Sequence, residues 1–182
     1  MSVREFDPLR LDVALFAKEA GALAGEWPLR QLERVAASSA PGAPVTDADA
    51  VRWTARGELH ALRGGEVQTW LAVGAATQVA LECQRCLKPV DVPLQIARRF
   101  LFVQGEDAAA QLDTDSEDDV LALTRALDLR ELIEDELLLA MPIVPRHEVC
   151  PEPLALPDDD DGLDEAPNPF AALAALKTTK PN

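Results

Sequence analysis

Two short steps of cysteine and histidine are the residues of this chain best suited to chemistry. Cys83 and Cys86 stand two residues apart in LECQRCLKP, and His147 and Cys150 stand two residues apart in RHEVC. Together they use all three cysteines and one of the two histidines. Three thiolates and a neutral imidazole form the closed Cys3His set found in structural zinc sites, and a two-residue spacing lets a tight turn aim both side chains at one ion. The sixty residues between Cys86 and His147 lie outside the compact finger pattern, so the expected zinc site is a clip that fastens a C-terminal arm to a distant turn. Other uses compete with this one. A disulfide is disfavoured where thiols stay reduced. A redox pair of the thioredoxin type needs a strand-to-helix junction that this stretch lacks. The plain alternative is three unligated thiols near a turn and near a tail.

The remaining constellations are weaker. Glu134, Asp135 and Glu136 offer paired carboxylates for acid/base or magnesium chemistry, but a charge run on an amphipathic helix is usually its solvated face. There is no tyrosine, no glycine-rich phosphate loop and no GxSxG elbow. His60 has no nucleophile beside it, so nothing assembles into a catalytic set and the expectation is a protein that is not an enzyme.

These residues need elements to position them. LRLDVALFAKEAG and PLRQLERVAAS carry helical spacing and predict two short N-terminal helices, followed by a Pro/Ala/Ser/Asp-rich loop over 38–50. From Val51 to Ala61 the odd positions are small or apolar and the even positions read Arg, Thr, Arg, Glu, His, which is a half-buried strand. Val67–Val73, Thr77–Cys83 and Val90–Val103 extend this to four strands, with Gly74 as a break and LECQRCLKP as the last turn. The acidic connector over 105–119 has little to bury and predicts a mobile loop. In DLRELIEDELLLAMP, Asp128 and Glu131 have capping-box spacing. Leu129, Leu132, Ile133 and Leu137 form one face, Glu131, Glu134 and Asp135 the other. The expected fold is therefore α+β: an antiparallel meander flanked by N-terminal helices and an amphipathic helix, with acidic disordered segments and a short C-terminal helix. The expected organisation is a single domain over 1–156, with an acidic loop at about 104–119, then an acidic linker and an amphipathic segment over 157–182. In that last segment Phe170, Leu173 and Leu176 share a stripe suited to docking a partner.

Charge is unevenly spread along the 182 residues. The net charge is -15, yet residues 51–103 hold seven basic against four acidic side chains, whereas residues 104–165 hold three against twenty. Contact with nucleic acid therefore falls to the middle segment, where Arg52, Arg56, Arg85, Lys88, Arg98 and Arg99 form a candidate phosphate-contacting face; the competing reading is a scatter of surface charges. The acidic remainder suits a basic protein partner or simple solubility. No apolar run is long enough to span a bilayer, and the N-terminus lacks the apolar core and cleavage site of a secretory signal, so a cytoplasmic location is expected.

Three stretches in order, LECQRCLKP, DLRELIEDELLLAMPIVPRHEVC and NPFAALAALK, resemble the bacterial YceD family of large ribosomal RNA subunit accumulation proteins. The resemblance implies a non-enzymatic cytoplasmic factor needed for synthesis, processing or stability of the large-subunit ribosomal RNA. Its partners would be that RNA or a pre-ribosomal particle. Cys83 and Cys86 match the family's Cys-x-x-Cys, and Cys150 matches a cysteine after a proline-rich turn. No catalytic residue comes with the family. A rival expectation is an acidic escort that binds a basic ribosomal protein and acts on RNA indirectly.

Overall fold

Strict alternation along Ala50–Ala61 dictates one strand with a dry face and a wet one, and the rest of the sheet is built on it. In the computed structural model, which describes residues 5–62, 64 and 67–151, Val51, Trp53 and Ala55 are buried on this strand while Arg52, Thr54 and Arg56 are exposed. The elements in chain order are α1 (Val13–Lys18), β1 (Ala22–Pro28), a 3-10 turn (Leu29–Gln31), α2 (Glu33–Ala37), β2 (Ala50–Ala61), β3 (Val67–Glu82), β4 (Pro89–Val103), α3 (Glu106–Asp115), β5 (Asp119–Ala122) and α4 (Leu129–Leu139). The sheet order is β1-β2-β3-β4-β5. The first four strands form an antiparallel meander, and β5 pairs with β4 in parallel. This is the α+β class, with an antiparallel sheet at its centre.

Four expectations are corrected. The sequence Ala22–Pro28, which the expected elements leave out except for Pro28 at the start of the second helix, is a strand, because its pairing partner lies some twenty to thirty-five residues downstream at Arg56 to Ala50 and no local period announces it. The second helix is correspondingly shorter, starting as a 3-10 turn and continuing only over Glu33–Ala37. Gly74 does not break the chain: β3 runs unbroken through it, paired with Thr54 on one side and Ala97 on the other. The connector after Val103 is not a loop but α3 followed by β5. Ala109 of α3 buries itself against Trp70, Leu101 and Val120, a contact that acidic composition alone does not reveal.

One face of the sheet carries the core. Leu71, Val73 and Ala75 of β3 and Leu94, Ile96 and Phe100 of β4 pack with Phe16 of α1, Val35 of α2 and the fully buried Leu129, Ile133 and Leu137 of α4. Those last three sit at i, i+4 and i+8, the stripe a helix needs to lie on a sheet. Asp128 caps α4 as its spacing predicts, its Oδ1 accepting from the N–H groups of Arg130 (2.9 Å) and Glu131 (3.1 Å). Pro142 lies just beyond the end of the helix at Leu139.

The helix α1 crosses β2 so closely that only glycine fits beneath it. A Cβ on Gly57 would lie 2.7 Å from the Ala17 Cα and backbone nitrogen and 2.8 Å from the Phe16 carbonyl carbon. These are backbone atoms and cannot swing aside. Gly57→Ala is therefore expected to cost about 1–3 kcal/mol, as overpacking of a tight contact does, read as a shift of the urea midpoint at unchanged slope. A variant as stable as the parent would show that α1 can move.

Candidate metal centre and basic faces

The strands β3 and β4 are joined by a knuckle, Cys83–Lys88, whose backbone closes on itself through Cys83 N–H to Lys88 O (3.0 Å) and Leu87 N–H to Cys83 O (2.9 Å). To close it, Leu87 takes a φ of 58°, a left-handed conformation that a leucine adopts only at a cost. The chain after α4 returns to this knuckle. The Gln84 N–H donates to Pro145 O at 2.9 Å, and this seats His147 and Cys150 over the two cysteines.

Cys83, Cys86, His147 and Cys150 come together here, with their ligating atoms all within 4.8 Å of one another. The Cys83 and Cys150 sulfurs are 4.0 Å apart, and Cys86 Sγ is 3.4 Å from His147 Nδ1. Ligands about 2.3 Å from an ion in a tetrahedron stand roughly 3.8 Å from one another, so the cluster has the dimensions of a four-ligand site. The histidine is oriented for this. Its Nε2 lies 3.0 Å from the Pro89 carbonyl, which only accepts, so Nε2 carries the hydrogen and Nδ1 turns its lone pair to the sulfurs.

The charge in the cluster is uneven. Burial pushes the Cys83 thiol up, but the backbone N–H groups of Arg85, Cys86 and His147 are among the contacts that outweigh it and bring the pKa down to about 5. Cys150 is raised to about 11 by burial, by its contacts with Cys86 and Cys83, and by their charge. One thiolate is stabilised, and its neighbour is held back by burial and by like charge. A cation among them removes that conflict, which is how this donor set fits a divalent metal. All three cysteines are free thiols, the first two buried and Cys150 partly so.

The basic residues divide among three places. Arg52 and Arg56 of β2 and Arg99 of β4 share the exposed face of the sheet, with Arg56, Ala72 and Arg99 on a single cross-strand rung. Arg85 and Lys88 are exposed on the knuckle, at the other end of β3. Arg98 belongs to neither group. It stands opposite the buried Val73 on the core face, where its Nε meets Glu136 (3.0 Å) and its NH2 meets Asp119 (2.7 Å). Arg98 therefore points away from Arg99 and is paired with two carboxylates, because adjacent residues of a strand point to opposite faces. Phe170, Leu173 and Leu176 lie outside the described residues.

The solvated acidic face expected for α4 is also corrected. Glu134 and Glu136 are buried, at 8% and 9% exposure. Glu134 receives the Arg34 Nε (3.1 Å) and NH2 (3.0 Å) and, through its other oxygen, the backbone N–H groups of Arg34 (2.6 Å) and Val35 (3.3 Å). It thus satisfies orphan donors at the start of α2 from a hundred residues away. Arg34 also bonds Asp135 at 2.6 Å, so two carboxylates from one helix hold one guanidinium.

A feature that local patterning missed lies on the exposed sheet face. There Ala22 and Ala24 of β1, Thr54 of β2, Ala72 and Gly74 of β3 and Ala97 of β4 leave a groove of about 660 Å³, flanked by Arg56 and Arg99. At its head the Arg99 guanidinium lies 4.6 Å from the centre of the Trp70 ring, which keeps its indole hydrogen bond to Gln68 (3.2 Å). The available signal was the run of small residues at even positions of β3, read as a strand interrupted by glycine.

Most of β3, together with β4, β5, the knuckle and the returning arm, lies within the region that a family model matches, whereas β1 and β2 precede it. Residues 71–177 match the family model described as large ribosomal RNA subunit accumulation protein YceD, and the chain belongs to that family. A curated relative from Haemophilus influenzae, itself named large ribosomal RNA subunit accumulation protein YceD, is 36% identical over 104 residues, 54% of this chain and 60% of the relative. The chain thus spans less than two thirds of that relative's length. No solved structure matches the chain. No helix among the described residues is long and apolar enough to cross a membrane.

Proposed function

We propose that this protein supports the accumulation of large-subunit ribosomal RNA in the cytoplasm by holding RNA, free or within a pre-ribosomal particle, on the exposed face of its sheet. Family membership supplies the ribosomal context. The observation that carries the direct contact is the segregation of charge: in a chain of net charge -15, Arg52, Arg56 and Arg99 gather on one open face. A phosphate chain is attracted only where cations cluster, and the attraction weakens as salt rises. Cross-linking in cells followed by sequencing is expected to recover large-subunit RNA with the parent protein and to lose it when all three arginines are replaced by alanine. Equal recovery from both would remove this reading.

On the same reading a zinc ion is held by Cys83, Cys86, His147 and Cys150 and fastens the arm to the knuckle. Its contribution is structural, since four protein ligands leave no open position for a substrate. The chain is accordingly read as a binding protein and not as an enzyme. The carboxylates that offered acid/base chemistry, Glu134 and Glu136, are engaged by Arg34 and Arg98.

A second reading, the escort of a basic ribosomal protein, draws support from α3. This helix carries Glu106, Asp107, Asp113 and Asp115 and no basic residue, and it is anchored to the sheet through Ala109. Capture of a basic ribosomal protein that is lost on neutralising these four acids, with RNA cross-linking unaffected by the arginine changes, would favour the escort.

A further inference from the structure

We infer that the groove on the exposed sheet face takes an unpaired strand of RNA and excludes the double helix; this rests on the RNA-holding role proposed above and names its ligand. The inference begins with the floor. Ala72, Gly74 and Ala97 project almost nothing from two successive rungs of sheet, so a flat group can lie directly on the strands. A nucleobase is such a group. The wall supplies the rest. Arg99 stacks by one side on Trp70 at 4.6 Å and is itself exposed, so its planar cation offers its free side to a base, while Arg56 stands on the same rung two strands away. Unpaired bases are held by such arginine planes and by cations that track the backbone.

A duplex finds none of this useful. Its bases are hidden in the stack, and it presents a wide rounded surface of phosphates that must be met by many cations over two grooves. Among the described residues this face has three: Arg52, Arg56 and Arg99. The register places Glu26 opposite Arg52, and Glu58 follows Arg56 on the same face. Beyond the groove lies the acidic α3. A broad polyanion meets repulsion as soon as it leaves the groove, whereas a single strand threaded along it does not. A second copy of this chain is disfavoured as occupant, because face-to-face packing sets the same arginines against each other. An acidic peptide matches the two arginines but makes no use of the stacked plane.

The experiment uses the full chain with fluorescent oligo-U of sixteen nucleotides and a sixteen-base-pair RNA duplex, titrated at several salt concentrations. The single strand is expected to bind at least tenfold tighter than the duplex, with log K falling against log salt at a slope of about -2, as three contacts on a single strand give. Arg99→Met is expected to weaken oligo-U several-fold and reduce that slope by about 0.7. Ala97→Leu fills the floor without touching a charge and is expected to weaken oligo-U about tenfold at an unchanged melting temperature. Equal affinity for duplex and single strand, indifference to Ala97→Leu in a folded protein, or displacement of oligo-U by polyglutamate as effectively as by unlabelled oligo-U would each overturn the inference. A large-subunit RNA transcript separates the two levels. If the transcript binds while oligo-U does not, the groove assignment fails and the RNA reading stands; if neither binds, both fail.

Discussion

Exchange of Cys83 for serine is expected to abolish metal binding and release the arm. Protein purified without chelator should hold about one equivalent of zinc, and the variant close to none, because a structural site depends on all four ligands. Binding to such sites is worth about 10–16 kcal/mol at neutral pH in zinc-finger peptides, so loss of one thiolate removes a large part of what orders the segment. The readout beyond metal content is cleavage at Arg146. This residue lies in the arm between Pro145 and His147, which are held to the knuckle through Gln84 N–H and the Pro89 carbonyl. Trypsin should cut there much faster in Cys83→Ser, and in the parent after chelation, than in the metal-loaded parent. A parent that carries no zinc, or a variant that retains it, would remove the clip.

Replacing Arg34 by methionine is expected to destabilise the fold, read as a clear drop in the urea midpoint, because it takes the cation from the buried Glu134 carboxylate. Two features limit the loss. The Arg34 side chain is half exposed, so part of its attraction to Glu134 is already screened by water. Glu134 also keeps the two backbone N–H groups of α2 after the guanidinium is gone. What remains is a buried carboxylate facing the core without its cation. Urea denaturation reads the loss, and the double variant Arg34→Met with Glu134→Gln should recover part of it, since an uncharged amide has less to lose by burial. A single variant of parental stability would show that Glu134 is solvated after all.

How much of this was legible before the fold was seen depended on the range over which each residue signals. The dry and wet faces of β2 could be read because alternation is a local property of the chain. The four-ligand cluster could be read across sixty residues because cysteine is rare here and had no other role. The strand β1 could not, since ALAGEWP becomes a strand only when β2 is beside it. Gly74 was misread for a related reason. On an exposed face a small residue is a floor, whereas in isolation it resembles a break. The burial of Glu134 and Glu136 was hidden furthest of all. The same period that put them beside Ile133 and Leu137 said nothing of Arg34 and Arg98, which reach them from other elements. Arg98 and Arg99 looked alike as neighbours in a basic segment, and only the pleat separates a cation held by two carboxylates from one on the open face.

The unbroken course of β3 carries a last consequence. Gly74, in the groove floor, and Glu82, next to Cys83, belong to one strand, and eight steps along it amount to roughly 26 Å. Sites that far apart, with no shared partner, ordinarily contribute their free energies additively. The groove and the metal knuckle are then thermodynamically separate modules on a common beam, and a lesion in one leaves the other a valid internal control for the integrity of the sheet.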